Sequence, residues 1–261
     1  MGRFNNFKNI VVTGGAGFIG GAFIRRIIKN TDRKIFNFDK CSYASNPKSL
    51  IEFEKFDNYK LIKLDLINFE KINKKIEEIE PDLIIHFAAE SHVDRSINDP
   101  KEFIESNILG TFNIIESARK YWEKLPLHKQ KIFLFHHVST DEVFGSLQNK
   151  EDLFSESSSY DPRSPYSASK ASSDHIVRAW FHTYKLPITL TNCSNNFGPW
   201  QFPEKLMPLA ITNALEGKKI PLYGDGMNIR DWLFVEDHIS AILKVIDIGK
   251  IGETYCIGSK N

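Results

Sequence analysis

Tyr166 and Lys170 stand four residues apart in Ser164-Pro165-Tyr166-Ser167-Ala168-Ser169-Lys170. Pro165 suits the first position of a helix, so both side chains are expected on one helix face. A free phenol titrates near 10 and is a poor base at neutral pH, but an adjacent ammonium favours the phenolate. Such a pair can take a proton from an alcohol while hydride leaves its carbon. A second candidate, Asp141-Glu142, follows the apolar run Ile132–Ser139 and is expected at the carboxyl end of a sheet. Two carboxylates with separated proton affinities can serve as acid and base at one site. Taken alone, the same residues would equally suit an exposed helix face and a solvated acidic turn.

Their surroundings point to chemistry. Thr13-Gly14-Gly15-Ala16-Gly17-Phe18-Ile19-Gly20 directly follows an apolar strand and opens a helix. Gly15, Gly17 and Gly20 match G-x-G-x-x-G, while Gly14, Gly17 and Gly20 match the looser G-x-x-G-x-x-G. Glycines there let the backbone approach a pyrophosphate, whose charge meets the helix amino end. Asp39 closes the next strand about 20 residues after the last glycine, where a carboxylate can accept both ribose hydroxyls. That acid would repel a 2′-phosphate, so NAD is favoured over NADP, although the neighbouring Lys40 softens the preference.

The elements that must hold these groups alternate. Strands are expected at Asn9–Thr13, Lys34–Asp39, Lys60–Leu64, Leu83–Ala88, Ile132–Ser139 and Pro187–Cys193. Helices are expected at Ile19–Lys29, Phe69–Ile79, Phe103–Trp122 and Ser167–Tyr184. Nearly continuous apolar strands separated by helices imply right-handed crossovers and an α/β, Rossmann-type doubly wound parallel sheet. Residues 1–194 would form this dinucleotide-binding domain. Residues 195–234, rich in Pro, Gly and Asn with one helix at Pro208–Glu216, would form a small substrate lobe over the strands' carboxyl ends. Residues 235–258 would return to the sheet as a helix, Val235–Asp247, and a strand, Glu253–Gly258.

The chain has 261 residues, 41% hydrophobic and 26% charged, the profile of a soluble globular protein. Lys plus Arg (34) nearly balances Asp plus Glu (33), so no global charge recruits nucleic acid or an anionic membrane. No window approaches the roughly 18 apolar residues of a membrane helix. Cys41, Cys193 and Cys256 are far apart with no C-x-x-C pair, and His92, His136 and His137 lack ligand spacing, so no metal is expected. With a start unlike a signal peptide, the protein is expected in the cytosol.

TGGAGFIG, FAAESHVDRS and Tyr166-x-x-x-Lys170 together resemble the extended short-chain dehydrogenase/reductase family. Ser139-Thr140-Asp141-Glu142-Val143-Phe144-Gly145 and Ser194-Asn195-Asn196-Phe197-Gly198-Pro199 resemble, within it, the dTDP-glucose 4,6-dehydratases. The resemblance runs from Ile10 to the last residue. It implies a lyase that oxidises the sugar at C4, eliminates water across C5 and C6 and returns hydride to C6, with NAD regenerated. Tyr166 would take the 4-hydroxyl proton, Thr140 would bond that oxygen, Glu142 would remove the C5 proton and Asp141 would protonate the departing 6-hydroxyl. Phe18, Ile19, Asp65, Leu66, Ala88 and Ala89 would join Gly14, Gly17, Gly20, Asp39, Lys40, Tyr166 and Lys170 around NAD. Ser91, Thr140, Asn196, Glu204, Lys205, Leu206, Tyr223, Asn228 and Arg230 would line the nucleotide-sugar pocket, with Arg230 suited to a pyrophosphate. Asn107 falls near the active site in the same comparison. A homodimer through Phe103–Trp122 and Ser167–Tyr184 is implied.

Family members continue past Gly258-Ser259-Lys260-Asn261 through an Arg-Pro-Gly-His-Asp-type segment that completes the substrate lobe. NAD binding is therefore expected to persist, with weak or absent substrate affinity and turnover. A UDP-glucose dehydratase and a catalytically silent NAD-binding protein are the alternatives, and the acidic pair disfavours a 4-epimerase.

Overall fold

The computed structural model describes residues 2–29, 31–147, 149, 152–222 and 225–259. Its strands are β1 (Asn9–Thr13), β2 (Lys34–Asp39), β3 (Tyr59–Lys63), β4 (Leu83–His86), β5 (Leu134–Thr140), β6 (Ile188–Cys193), β7 (Asn195–Phe197), β8 (Trp232–Phe234) and β9 (Thr254–Ile257). Its α-helices are α1 (Phe18–Ile27), α2 (Phe69–Ile79), α3 (Val93–Asn98), α4 (Pro100–Phe103), α5 (Gly110–Glu123), α6 (Leu127–Gln130), α7 (Pro165–Tyr184), α8 (Leu206–Leu215) and α9 (Val235–Ile248). Seven strands form one parallel sheet in the order β3-β2-β1-β4-β5-β6-β9, while β7 and β8 pair separately. This is the doubly wound Rossmann arrangement expected, with β9 returning beside β6.

Alternation along each strand explains why helices cover both faces. Ile10 and Val12 of β1, with Ile35 and Ile85, pack against Phe23, Ile24 and Ile27 of α1 and Ile239, Ile242 and Ile246 of α9. Val11 between them, with Phe38, Ile84 and Phe135, packs against Ile72 and Ile76 of α2, Ile114 and Ile115 of α5 and Val177 of α7. The order reverses between β1 and β4, and such a switch point opens a crevice at the strands' carboxyl ends.

Local sequence sets the helix ends. Ser164 caps α7 by accepting from Ser167 N at 3.0 Å, Pro165 follows, and Lys185 closes the helix in the left-handed conformation at φ 62°. Asn68 caps α2 by accepting from Lys71 N at 3.0 Å.

The expected single helix Phe103–Trp122 is corrected. Residues Pro100–Phe103 are α-helical, Ile104–Leu109 form a π-helical stretch, and the α-helix resumes at Gly110. Asn107 accounts for the widening. Its buried amide turns inward, accepting from Glu90 N at 2.8 Å and donating to Glu90 O at 3.0 Å and Ser169 Oγ at 2.8 Å. Such bulges mark functional sites in many helices. The strand expected over Leu83–Ala88 ends at His86, because the next residues cross over Gly14, whose missing Cβ would lie 2.6 Å from the Ala88 backbone. Other boundaries move by one or two residues, which matters at β5: Thr140 is its last residue, and Asp141 opens a short 3₁₀ turn through Phe144.

Candidate active site

A cleft of about 460 Å³ lies across the carboxyl ends of the central strands. The glycine loop forms its floor. Gly14 adopts φ +70°, where a side chain is strained and where the Ala88 backbone leaves no room for one. A Cβ at Gly20 would meet Gly14 O at 2.4 Å. Gly14, Gly17 and Gly20 line the cleft, whereas Gly15 packs its α-carbon toward Asn37 and Ile24. The looser glycine spacing is thus the one that faces a ligand. Gly17 precedes α1, whose free N–H groups provide for an anion.

Asp39 closes β2 beside this floor. Its Oδ2 accepts from Ala16 N at 2.9 Å, and its Oδ1 accepts from Cys41 N at 2.7 Å and Ser45 Oγ at 2.9 Å. These donors hold the carboxylate at the mouth of the cleft, which it lines with Phe18, Ile19, Lys40, Asp65, Leu66, Ala88 and Ala89. Lys40 is not a free phosphate ligand. It pairs with buried Glu90 at 2.7 Å and donates to Ser106 Oγ at 3.0 Å, so its charge is already matched. The cradle, the helix end and the fixed carboxylate fit a dinucleotide, and the matched lysine removes the one feature that favoured a 2′-phosphate.

Tyr166 and Lys170 lie on one buried face of α7, pointed at the end of β5. Lys170 Nζ donates to Val138 O at 2.9 Å. Burial first, then the carboxylates of Glu142 and Asp141, push the Tyr166 phenol well above its ordinary range, while Thr140 opposes them. The expected lowering by Lys170 is not found in the chain alone, because the ammonium is drawn to a strand carbonyl while burial, and after it the acids, raises the phenol.

Burial acts on both acids, but their charged neighbours differ. Burial, with Glu142 and Asp231 beside it, pushes Asp141 up to about 7. Burial also raises Glu142, but Lys205 and Arg230 oppose it. Asp141 held protonated near neutral pH can donate a proton, and in that form it places one negative charge fewer beside Tyr166. Glu142 lines the cleft directly, and Asp141 lies just outside its lining.

The remaining candidates divide. Ser91, Thr140, Asn196, Glu204, Lys205, Leu206 and Arg230 line the same cleft. Lys205 Nζ reaches across to Ser91 O at 3.0 Å, and Glu204 lies 3.4 Å from His92. Asn196 is tied to Ser194 O and His238. Arg230 donates to Ile229 O at 2.8 Å, leaving most of its guanidinium donors for a ligand. Asn228 is exposed and outside the cleft lining, contrary to expectation, although Arg230 two residues on lines it. Tyr223 lies outside the described residues.

Several cleft residues were not anticipated. Tyr43 stacks under Arg95 at 3.5 Å and meets Phe202 edge-on, joining the loop after β2 to the lobe. Ser106 reaches the cleft from the π-helical stretch, and Cys193 from the end of β6. No periodicity or motif marks these positions; a loop tyrosine beside the Asp39 strand end was the one available hint. His136 and His137 are fully buried, and His92 faces Glu204.

Residues 11–261 match the family model described as GDP-mannose 4,6 dehydratase. A dTDP-glucose 4,6-dehydratase of Neisseria meningitidis is 55% identical over 254 residues, covering 97% of this chain and 72% of that protein. The structure is similar to a dTDP-glucose 4,6-dehydratase of Bacillus anthracis solved with NAD, at TM-score 0.86 and 45% identity over 97% of this chain and 76% of that one. It is also similar to the Streptomyces venezuelae dTDP-glucose 4,6-dehydratase DesIV, solved with NAD among its ligands, at TM-score 0.87 and 39% identity over 95% and 75%. An NAD-dependent nucleotide-sugar enzyme of the extended short-chain dehydrogenase/reductase fold is the class that cleft and sheet define. Within it, the chain belongs to the family of the dTDP-glucose 4,6-dehydratases.

Proposed function

We propose that this chain dehydrates dTDP-glucose to dTDP-4-keto-6-deoxyglucose with NAD as a resident cofactor. The observation that carries this reading is the acidic pair at the end of β5, in which burial and mutual repulsion raise Asp141 to about 7 beside a second carboxylate in the cleft. Oxidation alone would need Tyr166 and Lys170; elimination needs an acid and a base as well.

NAD, when bound, supplies the hydride acceptor for C4 and donor for C6, and a positive charge near the phenol. Tyr166 takes the 4-hydroxyl proton while Thr140 bonds the same oxygen. The resulting 4-ketone acidifies the C5 proton, which Glu142 removes. Asp141 protonates the departing 6-hydroxyl, which leaves as water, and Glu142 returns its proton to C5 as C6 takes back the hydride. Arg230 and Lys205 hold the diphosphate end, and their charges oppose the burial that raises Glu142. Residues 1–194 with 235–258 bind the cofactor, and 195–234 contribute to the sugar-nucleotide side. Incubation of the chain with NAD and dTDP-glucose, in parallel with UDP-glucose, is expected to produce the alkali-induced absorbance of a 4-keto sugar from the dTDP donor. NAD binding with no keto sugar from either donor would sink the lyase reading.

A homodimer through α5 and α7 belongs to the same proposal. Phe112 and Tyr184 are exposed there, around a Trp180 that each meets edge-on. Light scattering is expected to give twice the 30.0 kDa chain mass; a monomer at all concentrations would refute it. No described helix is long and apolar enough to cross a membrane, and a cytoplasmic location completes the proposal.

A further inference from the structure

Tyr166, Lys170 and Asp174 recur every four residues along the buried face of α7, and Asp174 is 0% exposed. A fully buried carboxylate is costly unless it is bonded and matched by charge. Asp174 Oδ2 accepts from Tyr160 Oη at 2.9 Å and from Asn192 Nδ2 at 3.0 Å. On its other oxygen, His137 Nε2 stands 3.2 Å away. Asn192 Nδ2 is shared, donating also to Thr140 O at 3.1 Å. The carboxylate is thus two bonds from the backbone of the residue that faces the phenol.

The histidine, cysteine and tyrosine side chains around it are all shifted toward their neutral forms. His137 on β5 is pushed down to about 4 by burial and then by Lys170, and His86 on β4 is lowered in the same way. Cys193 on β6 is pushed up to about 12 by burial. Tyr160 ahead of α7 and Tyr166 on it are raised. Arg178, one turn beyond Asp174, is turned over the Tyr160 ring and donates to Thr254. Asp141 and Glu142 lie at the cleft end, past Tyr166. Among the described residues Lys170 makes no direct ion pair, and its Nζ donates to Val138 O. Burial lowers its proton affinity, and Asp174 is the leading influence in the opposite direction.

We infer that Asp174 is a positioning residue, the buried counter-charge that keeps Lys170 an ammonium under Tyr166 and, through Asn192, fixes Thr140 at the end of β5. Its catalytic consequence rests on the function proposed above; its electrostatic content does not. Two interior charges one helical turn apart hold each other in place, so each is needed only while the other is present.

The test is a double-mutant cycle with Asp174→Asn and Lys170→Met, read first as thermal stability at pH 7 without substrate. Asp174→Asn is expected to lower Tm by roughly 10 °C in the Lys170 chain and by less than half of that in the Lys170→Met chain. Equal losses in both backgrounds would reduce Asp174 to a hydrogen-bond acceptor and overturn the inference. If Asp174→Asn alone does not fold, recovery of folding in the double variant supports the inference, and failure of both overturns it. The second readout is the pH profile of nicotinamide reduction in a single turnover, a step that does not need the Asp141 proton. Removing the carboxylate lets Lys170 lose its proton at lower pH, so the alkaline limb is expected to move down by about one unit or more. A uniformly slower profile with an unmoved limb would also overturn it. A chain with no turnover but a coupled stability cycle would sink the proposed reaction and leave the counter-charge intact.

Discussion

Glu142→Gln is expected to abolish most product formation while leaving the first hydride transfer in place. The carboxylate lines the cleft, lies in the turn that Asp141 opens, and has Lys205 and Arg230 opposing the burial that raises it. Glutamine keeps the shape and one hydrogen-bonding oxygen but cannot take a proton from C5. Loss of a positioned base slows a proton transfer by about 10²–10⁴-fold, so 4-keto-6-deoxy product should fall by that factor. In the proposed reaction oxidation at C4 uses Tyr166 and Thr140, and the substitution removes a negative charge that raises the phenol. Nicotinamide reduction in a single turnover should therefore be at least as fast as in the unaltered chain, and the reduced cofactor should accumulate. Equal loss of both steps, or loss of neither, would show that Glu142 is not the elimination base.

The second large effect is on stability and has the opposite direction from the usual mutation. Asp141 is raised from an ordinary aspartate value to about 7 by burial and by its acidic neighbours. Because the folded chain holds this proton more tightly than the unfolded one, the stabilising contribution of protonation is complete below about 4. It is lost as pH rises through about 7. Above that window the folded state carries an unfavourable charge whose size, from a shift of about three units, is on the order of 4 kcal/mol. Asp141→Asn removes it. Tm is expected to rise by roughly 10 °C at pH 8 and to be unchanged at pH 4, where both side chains are neutral. The same variant loses the proton for the departing hydroxyl, so product formation at pH 7 should drop while stability rises, a trade common at active sites. Matching melting curves at pH 8 would mean that Asp141 titrates as an ordinary surface acid.

Most of the cofactor half was legible from spacing, because its demands are local. A backbone that must approach a pyrophosphate needs small residues at fixed intervals, and Gly14, Gly17 and Gly20 carry that requirement within one turn. Tyr166 and Lys170 share a helix face by period alone, and Ser164-Pro165 announces where that helix begins. The acidic pair could be assigned to a strand end because an apolar run precedes it. Asn107 shows the opposite limit. Its poor helix propensity hinted at something unusual, but the π-helical widening depends on Glu90, a residue seventeen positions away that only β4 and its following loop bring near.

What the sequence by itself determined, then, is the order of strands and helices, the dinucleotide cradle and the candidates for the reacting groups, since periodicity, turn chemistry and residue type act over a few neighbours. Tertiary structure alone decided the proton affinities. Tyr166 is raised rather than lowered because burial strips water from the phenol and the turn after β5 adds two carboxylates, while Val138 claims the Lys170 ammonium. Asp174, His137 and Asn192 meet because α7, β5 and β6 pack together, and none of the three carries a motif. Electrostatic influence depends on distance through a dry interior, and distances between residues far apart in the chain exist only once the sheet has closed beneath them.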